Sequence, residues 1–198
     1  MNNNPITRSD IMSMTDFAKV RQVKRRALVE LKRNRRVPVG PDATFYFENW
    51  DTMWFQIHEM LFIEKGGESQ ISGELDAYNP MIPNGNELVT TLMFEVDDPK
   101  RRANLLGRIG GVEDTVTLQF ADHEIRATSE EDVGRLTETG KTSSVHFLHF
   151  PFTREQIGSF CNFKNKVVIG FSHPDYSHMT VVSGAVQLSL SKDFAAMS

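Results

Sequence analysis

Residues 52–64 place Met53, Trp54, Phe55, Ile57, Met60, Leu61, Phe62 and Ile63 in one helical register with hardly a polar side between them. A helix that is apolar almost all round loses too much to water at a surface and belongs in the interior, with other layers packed on it. Asn49 or Asp51 just ahead supplies the side-chain oxygen that caps the first free backbone N–H groups. Its few polar residues include Thr52, Gln56 and Glu59. Spaced i, i+4 and i+7, they form one narrow stripe on the helix and are expected to make a polar core. A carboxylate inside a fold needs a partner, so Glu59 should be held there by something, backbone or the Tyr78 hydroxyl being the simplest choices.

Around this helix the pattern alternates between the two secondary-structure periods. Residues 7–10 have capping-box form, and Thr15-Asp16 opens a longer amphipathic helix to about residue 36, with Phe17, Val20, Ala27, Leu28 and Leu31 on one face. Pro38, Gly40 and Pro41 end it. Strands are expected at 44–47, 87–96, 115–120, 124–128, 143–150, 166–171 and 179–182, and helices at 68–79 and 99–108; from Ser183 on, Val186, Leu188 and Leu190 alternate like a strand while Ser183 equally caps a short helix, the reading preferred here. The fold class is α+β: an antiparallel or mixed sheet of about five to seven strands, with a long basic N-terminal helix and a central buried helix. Residues 1–198 are read as one domain, of which 1–36 form the basic arm.

Charge is unevenly distributed. Ten Lys/Arg against three acidic residues give residues 1–36 a formal +7, so the remainder carries −11 of the net −4. Such a helix either lies on the acidic body of its own chain or waits for an acidic partner. Lys24, Arg25, Arg26, Arg33 and Arg36 are the candidate partner-binding residues. Cys161 is the one cysteine, which excludes an internal disulfide and a cysteine metal cage and points to a reducing compartment. The polar start and the want of any run near the ~20 apolar residues of a span make the cytoplasm the expected location.

At Arg36-Val-Pro-Val-Gly-Pro-Asp42, at Phe47-Glu-Asn-Trp-Asp-Thr-Met-Trp-Phe-Gln-Ile-His-Glu-Met-Leu61, and through Glu74-Leu-Asp-Ala-Tyr-Asn-Pro80, Ser144-Val-His-Phe-Leu-His-Phe150 and His173-Pro-Asp-Tyr176, the chain resembles a bacterial family known as domain of unknown function 3501. The resemblance implies a protein encoded near rubrerythrin-like and iron–sulfur proteins, hence a redox or metal-handling setting and such a protein as partner. It supplies no catalytic residues. Trp50 and His58 depart from the family pattern, where Arg and Gln are implied.

The remaining motifs divide between chemistry and structure. His58-Glu59 begins a zincin motif, but Phe62 stands where the second zinc-binding His belongs. Glu59, Glu74 and Asp76, joined by His146 or His173, form a candidate site for a transition metal such as iron or zinc. His146 and His149 differ by an odd number on a strand and so face opposite ways. Gly107-Arg-Ile-Gly-Gly111 lacks the lysine and spacing of a phosphate loop. Three functions follow in order: an accessory or binding protein in a redox or metal-handling pathway, a metal-dependent enzyme with a carboxylate/His site, and a nucleic-acid-binding regulator.

Overall fold

The structure, a computed structural model, describes residues 2–129 and 142–195. Its elements run α1 (Met14–Arg33), β1 (Arg36–Val39), β2 (Ala43–Phe47), α2 (Trp50–Glu64), α3 (Glu68–Tyr78), β3 (Glu87–Phe94), α4 (Pro99–Arg108), β4 (Val116–Phe120), β5 (His123–Arg126), β6 (Thr128–Ser129), β7 (Val145–Pro151), α5 (Arg154–Phe160), β8 (Val167–Phe171), β9 (Met179–Val182) and α6 (Gly184–Leu190), with single 3-10 turns between some of them.

The α+β class and antiparallel pairing hold, but the strands divide between two sheets. One has the order β1-β2-β3-β7-β6, the other β5-β4-β8-β9. Alternation explains why both faces of the first sheet are used. On β3 and β7, Leu88, Leu92, Leu148 and Phe150 join Val116, Leu118, Ile169 and Phe171 of the second sheet in one core. Val89 and Phe147, one residue out of phase, join Met53, Trp54, Phe55 and Ile57 of α2 in another. The layers are therefore helices, first sheet, second sheet, with α2 against the first sheet as its composition requires.

Local chemistry sets the boundaries. Asn49 caps α2 by accepting from Thr52 N–H while Thr52 Oγ1 accepts from Asn49 N–H, so Thr52 belongs to a buried capping box. Ser13, not Thr15, caps α1, which ends at Arg33 rather than near residue 36. Residues 36–39, expected only as an extended exit, form edge strand β1, where Pro38 needs no ladder N–H. Gly40 turns β1 into β2 at φ +72°, and a Cβ there would lie 2.7 Å from the His178 ring. Helix α5 was not expected, although Thr153 and Gln156 form the capping box that announces it.

Candidate functional site

Helix α1 lies antiparallel on α2: Phe17 meets Phe62 at 6.0 Å, and further along α1 Lys24 lies 5.2 Å over the Trp54 ring. Phe17 is fully buried, surrounded edge-on by Trp54, Phe55 and Phe62. It is the one buried residue of α1. One turn on, Arg21 makes a two-pronged contact with Glu59, Nε to Oε1 at 2.7 Å and Nη2 to Oε2 at 2.6 Å, and its guanidinium sits 4.8 Å over Phe62. That is what holds Glu59: neither backbone nor Tyr78, but the basic helix itself. The guanidinium keeps the Glu59 carboxyl below its ordinary range. Gln56, third member of the stripe, is half-buried.

His58 is the second polar device of this interface. Fully buried, it accepts from Met12 N–H at Nε2 (3.0 Å) and lies 2.7 Å from the Trp54 carbonyl at Nδ1, which fixes the Nδ1–H tautomer. Trp54 Nε1 donates to the Asp10 carbonyl at 2.9 Å, and Asn79 makes two bonds to the Ile6 backbone, so the segment ahead of α1 is strapped to the helical layer. Burial holds the His58 pKa below its ordinary 6.5. The unfolded chain then binds the proton first: the stabilisation is complete above 6.5 and is lost as pH falls from there towards the depressed value. Urea midpoints should therefore drop below pH 6.5 in the native chain, and by less in His58→Leu. That substitution itself should cost about 1–3 kcal/mol above 6.5, by leaving the half-buried Met12 N–H without its acceptor.

Beyond Lys24 the two helices part. A half-open cleft of about 420 Å³ separates Lys24, Ala27, Leu28 and Leu31 of α1 from Trp50, Asp51, Trp54 and Phe55 of α2. Both tryptophans of the chain line it, stacked at 6.3 Å with planes 18° apart. Its size and aromatic lining are those of a binding site.

The candidate metal ligands are scattered instead. Glu59 is engaged by Arg21, Glu74 accepts from Gln70 at 2.8 Å, and Asp76 is exposed. His146 is buried at the other sheet face, with Nε2 2.9 Å from the Ser143 carbonyl and Nδ1 3.7 Å from Glu113. His173 lies 3.3 Å from the Gly110 carbonyl in the loop before β9. That loop is structural: Tyr176, buried, donates to the Val39 carbonyl and accepts from Asp42 and Ala43 N–H. Among the described residues no three His, Cys, Asp or Glu converge as ligands, so the carboxylate/His set drawn from the sequence forms no metal cage there. His146 and His149 do face opposite ways, and His149 pairs with Glu87 at 3.0 Å.

The proposed partner-binding cations also fall in different places. Lys24 forms the cleft rim, Arg25 and Arg26 are exposed on α1, and Arg33 pairs with Glu30 at 3.0 Å. Arg36 stands on β1, off the helix. Arg35, counted among the surface charges, is instead 1% exposed and paired in two places with Asp193, Nη1 to Oδ1 at 3.1 Å and Nη2 to Oδ2 at 2.5 Å. Its remaining donors reach the Phe47 and Glu48 carbonyls. No local signal in the basic run distinguishes it from its neighbours.

Fold and cleft together define a two-sheet α+β protein with a helical layer that carries an aromatic cleft beneath a basic helix. Within that class the chain belongs to the family described as protein of unknown function (DUF3501), whose profile matches residues 5–194. A crystal structure of a novel protein of unknown function from Burkholderia pseudomallei K96243 has the same fold, with TM-score 0.89 and 34% identity over 97% of this chain and 100% of that one. No curated protein matches. Among the described residues no helix is long and apolar enough to cross a membrane.

Proposed function

We propose that the protein is a binding protein that docks an acidic partner protein on the outer face of α1. The observation that carries this is the way α1 is held: twenty residues long, it buries only Phe17. Short isolated helices are marginal in water, and tertiary packing normally supplies what propensity does not. Here the C-terminal half has little of it. Val23 and Val29 stand 68% and 52% exposed between cations. Among the described residues, Arg25, Arg26 and Lys32 make no ion pair. Gln22, Arg25, Arg26, Val29 and Glu30 frame a shallow hollow of about 370 Å³. A face of cations around small apolar patches suits an acidic protein surface, where complementary charge speeds encounter and selects the partner. The rubrerythrin-like or iron–sulfur protein implied by the resemblance is the partner class to seek first.

Reversing Arg25, Arg26 and Arg33 to Glu tests the reading. Recovery of the partner with the native chain should disappear in the triple variant while the fold is kept, since none of the three side chains is buried; circular dichroism should show at most fraying of the last turn of α1, where Arg33→Glu faces Glu30. Equal recovery would remove the reading, and retention of the native chain on duplex DNA at moderate salt would move the same face to nucleic acid.

A further inference from the structure

We propose that the cleft between α1 and α2 seats one amphipathic helix of that acidic partner, its acidic edge towards α1 and a basic residue towards Asp51. This rests on the docking reading and adds where the partner's apolar anchors lie and how its charges are ordered across them. The α1 wall from Lys24 to Leu31 rises about 10 Å, close to two helical turns. Two turns present apolar anchors at i, i+3 or i+4, and i+7, the spacing by which a helix fills a groove. Leu28 and Leu31 are only half-buried in the chain alone, and across from them half-buried Trp50 offers apolar area, stacked on Trp54, which is itself 9% exposed with His58 and Lys24 against its ring. The cleft is half open to solvent, which leaves its lining within reach of another chain.

Charge decides the occupant. The α1 rim carries Lys24, which makes no ion pair among the described residues. The α2 rim carries exposed Asp51. A helix with Asp or Glu on one edge, Leu, Met or Phe in the middle and Lys or Arg on the other edge matches both rims. Nucleic acid, anionic on every side, would meet Asp51 and leave the apolar floor uncovered.

The test uses the full chain in the cells that naturally make it, with a photo-crosslinking benzoylphenylalanine at Leu28 in the cleft or at Arg26 outside it. Both probes should label the same protein, and the peptide captured from Leu28 should show that charge order at helical spacing. Leu28→Asp should weaken recovery about tenfold or more, by setting a charge against the anchors. Should that variant unfold, exposed Asp51→Lys gives the second reading: a loss of similar size. If Arg26 labels a partner while Leu28 labels nothing, a second copy of this chain, or a segment without that charge order, the cleft assignment is overturned and the docking reading stands. If neither probe labels a protein, both fall.

Discussion

Arg35→Ala should lower the unfolding free energy by about 3–5 kcal/mol, the cost of leaving a buried charge without its counterion. The guanidinium and the Asp193 carboxylate are each 1% exposed, so water cannot replace the missing group. The guanidinium also satisfies two carbonyls at the turn from β2 into α2, which ties the C-terminal 3-10 turn to the start of the central helix. In a chain of this size the thermal midpoint should fall by roughly 2–4 °C for each kcal/mol. The double variant Arg35→Met/Asp193→Leu should recover much of the loss, because it removes both desolvated charges together. A single variant that unfolds like the native chain would show that the pair contributes nothing net.

Phe17→Ala should cost about as much, roughly 3–5 kcal/mol, through the cavity left at a fully buried ring. Its consequence is more local. With Phe17 gone, α1 keeps Arg21–Glu59, the cation over Phe62 and half-buried Leu28 and Leu31, none of which replaces a core anchor. The helix should detach before the sheets unfold, and the emission of Trp54, which contacts Phe17 edge-on at 6.1 Å, should shift to the red. Phe17→Leu, which keeps most of the volume, should retain both the helix and the emission.

What was legible in the sequence is what local chemistry writes. The central helix could be read because Asn49 and Thr52 form its cap and because its apolar residues leave no solvent side. Strands β4 and β8 could be read from runs bounded by turns. The division into two sheets could not, since it depends on pairings such as β3 with β7, whose partners Val89 and His149 are far apart in sequence. The need for a partner at Glu59 was legible, but its identity was not: Arg21 is one of several cations at similar spacing, and only the antiparallel crossing of α1 on α2 selects it. The role of Arg35 was hidden for the same reason, as Asp193 lies 158 residues away. The carboxylates and histidines grouped as metal ligands share a residue type without sharing a place, because sequence shows donor chemistry and only the fold shows convergence.

Helix α1 is packed in its first half through Phe17 and Arg21 and tethered just beyond its end by Arg35, while the outer face of residues 22–33 is available. Amide hydrogen exchange along α1, measured on the purified chain and on the chain recovered with its partner, tests this most directly, since exchange reports the free energy of local opening. The isolated protein should exchange residues 22–33 well before residues 14–21, and the partner should slow the first group most. Uniformly slow exchange in the isolated chain, or no slowing of residues 22–33 in the complex, would contradict it.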